Sequence, residues 1–170
     1  MRKLSKDLTL HKLILLMVGL FFITSCGPTE YQKIPLENLD PKLKKTASLM
    51  VKDILTSFNH KDGARFLLDK NYTTPMVHGR IMHNLEMYNE SYKMISMTIG
   101  KVSKYSLFQA VDKNLIKTMR YKLVTDSDDF EFIELKLDVN IEYGLADYYL
   151  YVTSKDGILK RENVLPRAVK

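Results

Sequence analysis

Asp147, Tyr149 and Tyr151 stand two residues apart in the stretch Leu145 to Ser154. In an extended strand such residues share one face, so the spacing sets a carboxylate beside two phenols. An acid among aromatic rings has its pKa raised, and it can then serve as a general base with a tyrosine assisting. Tyr121 and Tyr143 are further candidates to lie near it. The same five residues suit a ligand pocket or a partner surface, because tyrosine is enriched at binding surfaces. Met76, Met82, Met87, Met94 and Met97 would add a soft, adaptable lining. Tyrosine is equally a common filler of a half-wet sheet. Catalysis, binding and plain packing are thus three readings of one strand.

Other chemistries find less support. His78 and His83 are five residues apart, so on a helix they point about 140° from each other and cannot share a metal. Asp126, Asp128 and Asp129 lack the glycine and the later bidentate glutamate of a calcium loop, and read as a solvated turn. There is no glycine-rich phosphate loop, no serine nucleophile elbow and no Cys-x-x-Cys. No metal or other cofactor is expected.

The single cysteine, Cys26, closes a pattern of its own. Arg2, Lys3, Lys6 and Lys12 precede an apolar run from Leu13 to Ile23, and Thr24, Ser25, Cys26, Gly27 and Pro28 follow. That run has the length of a signal-peptide core; a membrane-spanning helix needs roughly 20 apolar residues. Ile23-Thr24-Ser25-Cys26 resembles the bacterial lipobox. The resemblance implies cleavage before Cys26 and acylation of its thiol, and two or more acyl chains hold a protein firmly on a bilayer. Gly27 after the cysteine lacks the aspartate that resembles an inner-membrane retention signal, which favours the outer membrane in a two-membrane cell. One cysteine also rules out a disulfide within the chain, so the domain must rest on an ordinary core.

The formal net charge is +6, but residues 1–25 hold four basic residues and one acid, so cleavage leaves +3 on 145 residues. That length makes one domain with a real core. The remaining charges mix both signs with no long run, so no nucleic-acid partner is expected. The division that follows is a signal peptide over 1–25, a lipidated tether over 26–39 carrying Pro28 and Pro35, and one domain over 40–170.

The elements that position the tyrosines follow from period. Asp40-Pro41 is a helix start, and Leu43, Ala47, Met50, Val51, Ile54, Leu55 and Phe58 form one helical stripe. Gly63 is expected to end that helix, with a short helix at Ala64 to Asp69 and a third from Thr74-Pro75 to about Tyr88. After Ser91 the period drops toward two. Met94 to Ala110 reads as a strand interrupted at Gly100, followed by strands at Leu115 to Thr125, Phe130 to Ile141, Leu145 to Ser154 and, past Asp156-Gly157, Ile158 to Arg161. In the third of these, Ile133, Leu135, Leu137, Val139 and Ile141 face one way and Glu134, Lys136, Asp138 and Asn140 the other. Helices followed by long antiparallel strands predict an α+β fold, with the helices packed on a curved sheet of four or more strands.

This order is similar to the cystatin-like, cone-shaped fold of nuclear transport factor 2 relatives, over about Asp40 to Leu165. The resemblance implies a pocket at the cone's mouth and no particular activity. The expected role is a membrane-anchored envelope lipoprotein that binds an envelope protein or a small apolar ligand without catalysis. The alternatives are a small cone-fold isomerase or hydrolase using a buried acid, and an inhibitor or immunity-type lipoprotein. A homodimer through the sheet is a further arrangement open to a strand that is apolar on both faces.

Overall fold

A computed structural model describes residues 32–154 and 159–162. The leader, Cys26, the Asp156-Gly157 turn and the tail after Pro166 lie outside these residues. The described chain runs β1 (Gln32–Ile34), α1 (Pro41–Phe58), α2 (Gly63–Leu68), α3 (Pro75–His83) and α4 (Leu85–Ile99). The long strands β2 (Val102–Lys113), β3 (Ile116–Thr125), β4 (Phe130–Asn140) and β5 (Gly144–Ser154) follow, then β6 (Leu159–Glu162). The six strands pair in sequence order, each antiparallel to the next, and the helices pack on one face. The fold is α+β, as the change of period predicts.

Helix α1 starts as its sequence demands. The Asp40 carboxylate accepts the Lys42 N–H at 2.8 Å, with Pro41 at the first helical position. Its stripe of Ala47, Met50, Val51, Ile54 and Phe58 is buried, and full burial of a valine or isoleucine is worth roughly 1.5–3 kcal/mol. The helix is capped at Asn59, so Gly63 opens α2 rather than closing α1.

Three boundaries differ from expectation. The predicted third helix is two, broken at Asn84, and the second continues to Ile99. Met94 to Ile99 is therefore helix, not strand. Ile95 and Ile99 fit either period, but Tyr88, Tyr92, Ile95 and Ile99 form one buried helical stripe while Met94 and Met97 are exposed. Gly100 ends the helix at φ +70°, a conformation glycine adopts without strain. Lastly, the expected tether over 26–39 gives up its end to the domain. Gln32, Lys33 and Ile34 pair with Asp112, Val111 and Ala110, and Leu39 is buried in the core. Three residues beside a proline carry little strand signal; the free edge of β2 supplies the partner.

Alternation then divides the sheet. Ala110, Met119, Tyr121, Leu123, Ile133, Leu135, Leu137, Val139, Tyr148, Leu150 and Val152 face the helices and are buried with them. Ile141 lies past the end of β4 and is exposed. Register shifts place Phe108 and Ala146 as extra residues, opposite Tyr121/Arg120 and Asp138/Val139 respectively, and such bulges bend a strand.

Candidate functional site

The outer face of the sheet, which no described helix covers, carries the chemistry. Register lays it out in rows: Gln109, Arg120, Lys136 and Tyr149 in one, Lys122, Glu134 and Tyr151 in the next. Right-handed twist brings diagonal neighbours together. Arg120 grips Glu134 through two bonds, Nε to Oε1 at 2.5 Å and Nη2 to Oε2 at 2.7 Å, and Nη1 donates to Gln109 Oε1 at 2.6 Å. Glu134 is only 3 % exposed, so this planar fork offsets the cost of burying a carboxylate. Its hydrogen bond to Glu134 in turn raises the pKa of Arg120.

Around this pair lies a concave groove of about 590 Å³. Val111, Phe132 and Tyr151 give it an apolar floor, and Lys33, Lys113 and Lys136 bring ammonium groups to it. Lys136 bonds Asp138 at 3.0 Å and sits 4.7 Å from the centre of the Tyr149 ring, a cation–π distance.

Asp147 and Tyr149 stand beside the groove on the same face. The Tyr149 hydroxyl donates to Asp147 Oδ2 at 2.5 Å, and Oδ1 accepts from Arg80 Nη2 at 3.2 Å and from the Tyr148 N–H at 3.0 Å. Among the described residues β6 pairs only with Leu150–Thr153, and Arg80 reaches Asp147 from α3 along the edge of Gly144–Tyr149. Burial, and then Asp147, push the Tyr149 pKa up. The Tyr151 ring lies 6.4 Å from that of Tyr149, tilted from it by 36°.

The other two candidate tyrosines lie elsewhere. Tyr121 is 3 % exposed on the helix side of the sheet, and burial pushes its pKa up to about 12. Tyr143 sits in the turn before β5 and is 62 % exposed. Tyr148 faces inward, where its hydroxyl bonds that of Tyr92 and burial raises both pKa values. The Tyr88 hydroxyl is buried there without a partner. These rings fill the space between helices and sheet. The five methionines expected to line a cavity are instead exposed on α3 and α4.

Among the described residues no three His, Cys, Asp or Glu side chains gather to hold a metal, and no helix is long and apolar enough to cross a membrane. The Asp126 carboxylate is used by the fold, accepting the Lys101 N–H at 2.7 Å.

Sequence reasoning missed Arg80, Arg120 and Glu134. Arg80 is 67 residues from Asp147, beyond any local pattern. Arg120 and Glu134 carried a usable signal: two strands flanking the turn at Asp126 to Asp129 pair as a hairpin, and counting outward from that turn sets Arg120 opposite Lys136, one diagonal from Glu134. Set against known protein families, characterised proteins and solved structures, the chain matches none.

Proposed function

We propose that this chain is a lipid-anchored lipoprotein of the bacterial envelope, on the outer membrane in a two-membrane cell, whose domain binds rather than catalyses. The reading of the anchor rests on the leader and the lipobox-like Ile23-Thr24-Ser25-Cys26. The reading of the domain rests on one observation: the groove lies on the sheet face that no described helix covers, and the one acid in its lining, Glu134, is buried and clamped by Arg120. A general base must be free to take a proton from substrate. Glu134 is held on both oxygens, and Asp147 accepts from three donors. What the groove offers is shape, rings and cations. Its lining combines Val111, Phe132 and Tyr151 with Lys33, Lys113, Arg120 and Lys136. The occupant it suits is a small amphipathic molecule with an apolar body and an anionic end, in place of a wholly apolar ligand.

Anilinonaphthalene sulfonate has that chemistry and reports its own burial. The folded chain should bind it saturably, at one site, and Tyr151→Ala with Phe132→Ala should weaken binding at least tenfold with unchanged circular dichroism. Absence of saturable binding, or binding indifferent to these substitutions, would remove the groove from the proposal. A second copy seated on this face would show as a dimer that the dye dissociates. For the anchor, Cys26→Ala should abolish palmitate labelling and move the protein to the soluble fraction.

A further inference from the structure

The two ends of the sheet are built differently. One end carries the β3–β4 turn, Asp126 to Asp129, which is polar. The other gathers the β2–β3 turn, the β4–β5 turn, the start of α3 and the point where the chain enters at Gln32. There four large apolar residues are exposed among polar ones such as Asn114 and Glu142: Leu115 is 50 % exposed, Ile141 54 %, Tyr143 62 % and Met76 68 %. Exposed apolar side chains gathered at one end of a domain are of the kind that marks an interaction surface.

This patch is held in place by bonds rather than left to move. Asn114 takes the positive φ, +62°, at the tip between Lys113 and Ile116, which puts Leu115 at the crest. The Ile141 N–H donates to the Leu115 carbonyl at 3.0 Å and joins the two turns. Asn140 Oδ1 accepts the N–H groups of both Glu142, at 2.8 Å, and Tyr143, at 3.0 Å. Thr74 joins the same end: its N–H donates to Leu145 O at 3.0 Å, and Met76 follows two residues on. Gly144, at φ +94° and close under the Tyr72 carbonyl, lets these segments meet.

The chain itself says what covers the patch. Gln32 pairs with Asp112, three residues from Leu115, and Cys26 stands six residues before Gln32. Six residues span at most roughly 20 Å, so a lipid on Cys26 keeps this end of the domain within reach of the headgroups. Lys33, Lys42 and Lys113 are at the same end, as is Lys117, whose ammonium bonds Asp112 at 2.5 Å. Tyrosine and lysine beside aliphatic residues suit the zone between headgroups and acyl chains. Glu142, between Ile141 and Tyr143, limits the contact to that shallow zone.

We propose that Leu115, Ile141, Tyr143 and Met76 form a footing on the lipid bilayer, so that the strands stand away from the membrane and the outer groove opens sideways. The inference rests on the lipid anchor at Cys26. The full chain has no tryptophan, so one introduced tryptophan reports alone. Acylated protein carrying Tyr143→Trp or, as the distant control, Met97→Trp is reconstituted in phosphatidylethanolamine and phosphatidylglycerol vesicles with brominated acyl chains. The expected result is blue-shifted, quenched emission from the Tyr143→Trp variant, with quenching several-fold greater than for Met97→Trp. Solvent-like emission from both variants in vesicle-bound, acylated protein overturns the footing and leaves the anchor standing, and equal quenching of both does the same. A blue shift at Tyr143→Trp without bromine quenching, together with a doubled mass, would mean that a second copy covers the turns. An unacylated, unbound chain brings down the anchor and the footing together.

Discussion

The two faces of this sheet are made from alternate residues of the same strands, yet they are held by different physics. Toward the helices, Met119, Leu135, Leu137, Tyr148 and Leu150 are buried by one another and by the helical stripe of α1. Toward the outside, Arg120, Glu134, Lys136, Asp138 and Asp147 are held by charge-assisted bonds. Apolar packing is non-directional and sums over area. A buried ion pair is directional, and its Coulomb gain is largely spent on desolvation. One face should therefore set how stable the domain is, and the other what it meets.

Substitutions on each face, and alkaline pH, test that division. The largest effect belongs to the inner side. Val51→Asp puts a charge where nothing can pair with it, and the domain should not fold; a native circular dichroism spectrum with a sharp thermal transition would show that the α1 stripe is not core. Leu135→Ala, in the centre of the inner face, should cost about 3 kcal/mol in chemical denaturation.

On the outer face, Arg120→Met leaves the Glu134 carboxylate buried without its clamp and should cost about 2 kcal/mol, less than a fully buried pair because the Arg120 side chain is 39 % exposed. Replacing both residues, Arg120→Met with Glu134→Leu, should recover most of that loss. If the double variant is as unstable as the single one, the pair stabilises the fold in its own right and the contrast between faces fails.

Alkaline pH probes the buried phenols. Tyr121 and Tyr148 are held neutral by burial, with raised pKa values, about 12 for Tyr121. The unfolded chain ionises its tyrosines near 10. Below pH 10 both states are neutral and their contribution is fully present. Above it the unfolded state loses protons that the folded state keeps, so stability falls, by up to about 1.4 kcal/mol per pH unit for each such tyrosine, as pH rises from 10 toward 12. Tyrosinate absorbance should show the buried rings ionising together with unfolding. The smallest effect on stability is expected on the outer face: Tyr151→Ala should change it by less than about 1 kcal/mol while weakening groove binding.

What could be read from the sequence divides along the same line. The stripe of α1, the inward residues of β3 and β4, and the pairing of Asp147 with Tyr149 all follow from periodicity, which is local. The stretch Met94 to Ile99 did not yield, because Ile95 and Ile99 are apolar in both a helical and an alternating count, and Tyr88 and Tyr92 decide between them only through packing on α1 and α2. Strand β1 needed the edge of β2. Tyr121 was drawn into the site by composition; its phase on β3, shared with Met119 and Leu123, puts it inside. The Arg120–Glu134 clamp needed strand register, and Arg80 needed the tertiary fold.

The bulge at Ala146 has a bearing on how such a chain can drift. Leu145 lies inside, Asp147 outside and Tyr148 inside, with Ala146 as surplus against β4. Losing that one residue would straighten β5 without exchanging a single wet side chain for a dry one. Losing a neighbour further along, at Leu150 for example, would turn the remainder of the strand over. Length variation among descendants of this chain should therefore collect at one spot in β5, and an alanine of no chemical interest would be its marker.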